Sequence, residues 1–448
     1  MKKPFFRRLV ASLSAFALVM PASLAAAGGI IRDAEIENSI LAWSTPIFIT
    51  AGLNQKAVSL YIVNDRELNA FVSGGQNVFL TTGLLMRSEN YTQVVGVVAH
   101  ETGHIAGGHL ARMEDAIRAA QAESIIGMIL GAGVIVAGGG RGQSGQAGGA
   151  VMAGGQGIAT RNFLKYTRGQ EAAADQAALT YLDQTQQSSL GLDQFLGILS
   201  KNEELYSGKI DPYMLSHPLT KDRLDNVRHH LEISPFSGVP SNPLFEEEHA
   251  RMRAKLVGFM QPFKQALRIY PESDTTLEGR YARSIAYYLK PDLPKALALI
   301  DGLIKERPND PFFHELKGQM LFENGHTAES IAPYQKSVDI FPQSALLRIG
   351  LAQAELAQNT SAFNKAAIAN LVAAVKQEKR NASGWKFLGI AYGKEGHIGL
   401  ASLSLAEQFL IIGKKTDARQ QAERAEKNLA KGSPSWVRAQ DILLAAKN

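Results

Sequence analysis

Apolar residues recur at helical spacing through Ile36, Ile40 and Leu41, behind an Asp33 suited to cap a helix. Three short apolar runs follow at Val58–Val63, Ala70–Val72 and Val78–Leu80. Asn64-Asp65 and Gly74-Gly75 separate them, which predicts small strands joined by tight turns. From Tyr91 to Ile117 the pattern is helical again. Residues 243–276 predict a helical connector, with charge at helical spacing over Glu246–Phe259. Beyond it the pattern stays helical and repeats.

Pro308 and Pro342 lie 34 residues apart, each closing an apolar helix. Repeats counted from Leu277, Pro311, Ala345 and Ala382 align several positions of the tetratricopeptide (TPR) pattern. The second repeat has Gly318, Tyr334 and Pro342 in place. The fourth has Trp385, Leu388, Gly389, Tyr392 and Ala401, and the first has Ala296 and Pro308. The third is degenerate, with a three-residue insertion. A further helical pair over Asp417–Ala446 is expected to cap the end. Stacked helical pairs offer a surface for a peptide or another protein. A plain helical bundle is the alternative, and the matched spacing favours TPR-like stacking.

Composition narrows the chemistry. The 448 residues are 45% hydrophobic and 20% charged, the balance of a globular protein. The absence of Cys excludes a disulfide scaffold, a thiolate metal site, a cysteine nucleophile and a lipoprotein anchor. Residues 1–27 predict a cleavable export signal: a basic start (MKKPFFRR), an apolar run from Leu9 to Met20, then small residues up to Ala27. That run is shorter than a membrane span needs. Without its four basic residues the formal net charge falls from +5 to +1. No basic stripe or nucleic-acid motif remains, so no nucleic-acid partner is expected. Residues 125–160 are Gly-rich and, over Ile125–Gly140, uncharged. They fit either a flexible insertion or a mobile apolar hairpin that covers a cleft or touches a membrane surface.

His100-Glu101-Thr102-Gly103-His104 is an HExxH motif in the helical stretch Val94–Leu110. Residues four apart share a helix face, so His100 and His104 can hold one ion, and zinc suits imidazole. Glu101 then lies beside the metal, placed to move a proton. The apolar turn that leads into the motif predicts a buried helix. A catalytic zinc needs a third protein ligand. The extended HExxHxxGxxH pattern fails because residue 110 is Leu, and His109 is one position out of register. Glu171 is the better third ligand. It shares a helix face with Asp175, which can orient a ligand imidazole from behind. His217 precedes Pro218 in an extended loop. It can serve as an oxyanion partner with Arg223, as a fourth zinc ligand that displaces water, or as a plain surface residue, and spacing alone favours the last.

HETGH at 100–104, EAAAD at 171–175 and SHPLTKDR at 216–223 together resemble metallopeptidase family 48, the gluzincins that include the CAAX prenyl protease. Asn69-Ala70-Phe71 with Gly83-Leu84-Leu85 is similar to that family's strand before the motif helix. The export signal, IRDAEIE at 31–37, HARMRAKL at 249–256 and the TPR-like tail resemble its exported members that act in outer-membrane protein assembly. The resemblance implies one Zn²⁺ per chain on His100, His104 and Glu171, with Glu101 as general base. It implies Asp175 and His109 as supports behind the ligands, His217 as a regulatory fourth ligand, and Arg223 facing substrate. It places an active-site loop near the membrane at 125–160.

The expected fold is α+β and mainly α. A zincin-like metalloprotease domain with a small β-sheet at 28–242 precedes the connector and an all-α TPR-like solenoid at 277–448. The expected activity is a periplasmic zinc endopeptidase that degrades misfolded or stalled polypeptides. Outer-membrane proteins and their assembly machinery are the expected partners, met through the TPR-like region, and chaperone activity is implied. Substrate backbone is expected to add to a strand edge near residues 70–80. The alternative is a TPR scaffold or chaperone whose zinc site is latent or structural.

Overall fold

A computed structural model describes residues 28–447 apart from 55–56, 114, 116–117, 119–120, 122–166 and 206–216. The expected export signal at 1–27 and the Gly-rich stretch at 125–160 lie outside the described residues. Among those described, no helix is long and apolar enough to cross a membrane. The protein is α+β and mainly helical, and its contacts divide it into two units.

The first unit comprises Glu37–His249 and the chain before Asp33. Its sheet has strands β1 (Gly28–Ile31), β2 (Ser59–Asn64), β3 (Ala70–Ser73) and β4 (Asn77–Thr81) in the order β1-β2-β4-β3. β2 and β4 run parallel, and the outer pairs are antiparallel. The three apolar runs read from the sequence are β2, β3 and β4; β1 is an addition. Alternation decides which face is buried. Leu60, Ile62, Ala70, Val72, Val78 and Leu80 lie on the core face, each at most 8% exposed.

Helix α1 (Ala34–Thr50) buries Ile40, Trp43, Ile47 and Phe48. Asp33 accepts the Ile36 amide at its start, as a capping aspartate does. Leu41, expected on the apolar face, is exposed, because that face runs through residues 36, 40, 43 and 47. The short α2 (Thr82–Arg87) is capped by Thr81, and α3 (Tyr91–Ala106) by Asn90, whose side chain accepts the Gln93 amide. In α3, Val94, Val95, Val97 and Val98 are buried on all sides, so this helix is a core element. It stops earlier than the apolar pattern suggested. Gly107 caps it and Gly108 takes φ +63°, a left-handed residue that breaks the helix before it resumes. Helix α4 (167–184) and helices α5 (Leu190–Leu205) and α6 (Lys221–Ile233) complete the layer around α3.

The second unit comprises Asp33–Ile36 and Ala250–Asn448. Helix Pro243–Met260 runs through the expected start of the connector, and Phe263–Ile269 follows it. Then come antiparallel helical pairs: Leu277–Leu289 with Leu293–Glu306, Pro311–Glu323 with Thr327–Ile340, Ala345–Ala357 with Ser361–Gln377, and Ala382–Lys394 with Ile398–Ile411. Lys415–Asn428 and Pro434–Ala445 close the series. The repeat positions have a packing cause. A Cβ on Gly318 would lie 2.7 Å from the Tyr334 ring, so only glycine lets the paired helices close on that tyrosine. The insertion in the third repeat lengthens its second helix to 17 residues, against 14 in the repeat before.

The second unit also holds a buried charge cluster. Lys255 Nζ lies 2.7 Å from Asp33 and 3.2 Å from Glu35, and Arg251 bridges Glu35 and Asp310 at 2.7 and 2.5 Å. Tyr281 donates its hydroxyl to Glu35 at 2.7 Å. Glu315 stands at the cluster's rim, 3.8 Å from Lys255.

Candidate metal centre

The chain carries the HExxH residues on α3 and Glu171 on α4, and small residues bring the helices together. A Cβ on Gly103 would stand 2.8 Å from the Ala174 carbonyl oxygen. Glycine here, with Ala174 opposite, lets α4 approach until Glu171 reaches both histidines.

His100, His104, Glu171 and His217 form one buried cluster with a ligand atom from each within 4.8 Å of the others. The Nε2 atoms of His100 and His104 are 3.1 Å apart. Glu171 carboxylate oxygens lie 3.4 Å from His100 Nε2 and 3.3 Å from His104 Nε2. His217 Nδ1 lies 3.3 Å from His100 Nε2 and 3.1 Å from Glu171. A tetrahedral ion with bonds of about 2.0–2.1 Å has its ligand atoms about 3.3 Å apart. The observed separations, to one or the other oxygen of Glu171, run from 3.1 to 3.4 Å and are close to that length, and the donor set of three imidazoles and a carboxylate suits zinc. The residues present therefore fit the group that the sequence implies.

Glu101 is fully buried beside the cluster, and neither carboxylate oxygen accepts a hydrogen bond among the described residues. Burial raises its pKa, against the opposing charges of His217 and His100. A buried carboxylate without hydrogen bonds next to a ligand set is costly unless a proton or a polar partner meets it. Oε1 is 3.5 Å from His217 Nε2.

The supports behind the ligands differ. His100 Nδ1 meets Asp175 Oδ1 at 2.8 Å, which leaves Nε2 for the cluster. Burial alone would lower the His100 pKa, but its bonds to Asp175 and Glu171 raise it to about 9. Burial holds His104 down at about 3, only partly opposed by Glu171. Glu171 is held far below the usual carboxylate range by His217, His100 and His104, which outweigh its burial. Asp175 falls to about 2: burial pushes it up, and bonds from Arg223 and His100 prevail. His104 Nδ1 meets His109 Nδ1 at 3.0 Å, and Gln170 donates to the His109 carbonyl.

Arg223, expected to face substrate, is 4% exposed and turns inward. Its guanidinium makes a two-pronged contact with Asp175 at 2.6 and 2.9 Å and reaches Glu171 at 3.0 Å. It also donates to the Pro218 carbonyl at 3.0 Å, which ties the His217 loop to α4. Spacing could not find this orientation, because it depends on α6 meeting α4 from a distant part of the chain. Nothing in the sequence marks Gly103 as a contact point either.

Residues 32–231 match the family profile described as "Peptidase family M48". A beta-barrel assembly-enhancing protease of Yersinia pestis is 26% identical over 371 residues, covering 80% of this chain and 72% of that protein. One of Escherichia coli (strain K12) is 24% identical over 384 residues, covering 84% and 76%. A crystal structure of MamA has 20% identity and covers 37% of this chain and 92% of its own, with a TM-score of 0.29. A thermophilic TPR protein of Thermus thermophilus has 19% identity, coverages of 38% and 100%, and a TM-score of 0.25. The matched profile spans the HExxH helix, Glu171 and His217, so this part of the chain is similar to peptidase family M48, and the protein is a metalloprotease.

Proposed function

We propose that the protein is an exported zinc endopeptidase that cleaves unfolded or stalled outer-membrane polypeptides in the periplasm, with its helical repeats docking clients or the assembly machinery. The buried cluster of His100, His104, Glu171 and His217, with one ligand atom from each within 4.8 Å of the others, beside a Glu101 carboxylate that accepts no hydrogen bond among the described residues, carries the proposal. The names of the relatives support the client class.

A bound zinc ion would supply Lewis acidity at the scissile carbonyl and lower the pKa of a nucleophilic water. The chain's own residues do the rest. His100, His104 and Glu171 would hold the ion. Asp175 fixes the His100 ring by accepting a hydrogen bond from its Nδ1, and His109 holds the His104 ring through Nδ1 in the same way. Glu101 takes the proton of the attacking water and hands it to the leaving amine, a role suited to its raised pKa. Arg223 is a positioning residue, holding Asp175, Glu171 and the His217 loop in one register. The extended substrate adds as a strand to the free edge of β3, where main-chain groups carry affinity.

His217 is the latch. Its Nδ1 lies 3.3 Å from His100 Nε2 and 3.1 Å from Glu171, where it would compete with an attacking water, which supports reading this arrangement as the closed one. The same closed geometry favours the second reading, a TPR scaffold or chaperone with a silent site. Purified mature chain with zinc, an unfolded β-barrel protein as substrate, and the variants Glu101→Gln and His217→Ala separate the two. Cleavage that rises in His217→Ala and vanishes in Glu101→Gln is expected. Full rescue of a deletion strain by Glu101→Gln would establish the scaffold instead.

A further inference from the structure

β3 is the terminal strand of the sheet among the described residues. Its register with β4 pairs Ala70 with Leu80, Phe71 with Phe79, Val72 with Val78 and Ser73 with Asn77. The Thr81 amide donates to the Asn69 carbonyl. In an antiparallel ladder, hydrogen-bonded pairs alternate. Phe71 therefore bonds inward to β4, while the main-chain groups of Ala70 and Val72 point to the free edge.

The sheet's outer face carries a row of aromatic rings. Tyr61, Phe79 and Phe71 are in register across β2, β4 and β3. Tyr61 stacks on Phe79 at 5.0 Å and 19°, and Phe79 on Phe71 at 4.9 Å and 8°. All three are half-buried. Two residues along, the same face carries a polar row of Ser59, Asn77 and Ser73. Phe71 ends the aromatic row, so its far ring face is turned toward the edge.

An antiparallel strand added at that edge bonds to Ala70 and Val72. Its residue opposite Phe71 then sits in a non-hydrogen-bonded pair, the closer of the two kinds, with Cα atoms about 4.5 Å apart. Cross-strand side-chain pairs select their partners at this distance. Resting on the strand addition proposed above, we infer that Phe71 is a specificity-determining residue, and that the enzyme selects extended segments with an aromatic residue opposite Phe71 and a small polar one opposite Ser73. The preferred substrate class is thus a β-forming segment whose outer face continues the Tyr61–Phe79–Phe71 row by one ring. The adjacent substrate residues face the HExxH side and are read separately.

Binding to the full-length zinc-loaded Glu101→Gln chain tests this without cleavage. The probes are fluorescein-labelled Thr/Ser decapeptides with a single Phe scanned along them, read by anisotropy. An aromatic pair strengthens binding about 2- to 10-fold. The gain is expected where the scanned Phe falls opposite Phe71, and it should vanish in Phe71→Ser when each variant is referred to its own binding of the Phe-free peptide. Phe71→Thr, a strand former, serves if the serine variant is unstable. A second peptide set, N-methylated one residue at a time, tests strand addition by itself through weakened binding with period two. A flat Phe scan beside an intact N-methyl pattern overturns the role of Phe71 and leaves strand addition standing. A flat N-methyl scan overturns strand addition, and the aromatic pairing with it.

Discussion

Replacing Glu315 by Gln should stabilise the second unit at alkaline pH and do little at pH 5. Burial, with Asp33 and Glu35 nearby, raises the Glu315 pKa from 4.5 to about 7, although Lys255 opposes this. A carboxyl whose pKa is raised on folding supports the fold while protonated. That support is lost as pH rises through about 7. The linkage relation with these two values gives a cost of about 3 kcal/mol at pH 8 and about 1 kcal/mol at pH 5. The side chain is 23% exposed, so water screens part of this, and an observed difference of about 1–2 kcal/mol is expected. Thermal or urea unfolding of the full chain, wild type beside Glu315→Gln, at pH 5, 6.5 and 8 measures it. The variant should gain stability steadily with pH. Equal effects at all three values, or a loss at pH 8, would refute the reasoning and show that the ionised carboxylate is stabilised by Lys255.

Three further outcomes concern the metal centre. Asp175→Asn should weaken zinc about 10- to 100-fold in a chelator competition, because the His100 ring loses its charged acceptor. Gly103→Ala should lower both zinc affinity and activity, since the added methyl meets the Ala174 carbonyl at 2.8 Å and pushes Glu171 away; unchanged affinity would mean that α4 shifts without consequence. Stripping zinc with a chelator should lower the melting temperature, and re-addition should restore it, because binding to the folded state alone stabilises it.

Much of the fold is legible because local chemistry determines it. Asp33 marks a helix start and caps one. Alternation marks the strands at 59–64, 70–73 and 77–81, although β1 is four residues beginning Gly-Gly and offers no periodic signal. The end of α3 is not legible, because the apolar pattern continues past Gly107 while the break depends on a single left-handed glycine. At the site, the spacing of His100, Glu101 and His104 and the pairing of Glu171 with Asp175 are helix-face relations, readable within one turn. Arg223 is not readable in this way. Its inward orientation follows from α6 packing beside α4, and tertiary approach leaves no periodic trace. The aromatic row of Tyr61, Phe79 and Phe71 is hidden for the same reason, since register across strands creates it.

The placement of His217 has a kinetic consequence. One ring presents Nδ1 to the ligand cluster and holds Nε2 3.5 Å from Glu101. If His217 acts as the latch proposed above, this single side chain blocks both the nucleophile's place and its base at once. Turnover then depends on the fraction of time the ring spends elsewhere. Rates measured on a population scale with that fraction, and apparent affinity is reduced by the same factor. A ligand that speeds cleavage needs only to hold the open form longer, leaving the reaction's intrinsic barrier untouched.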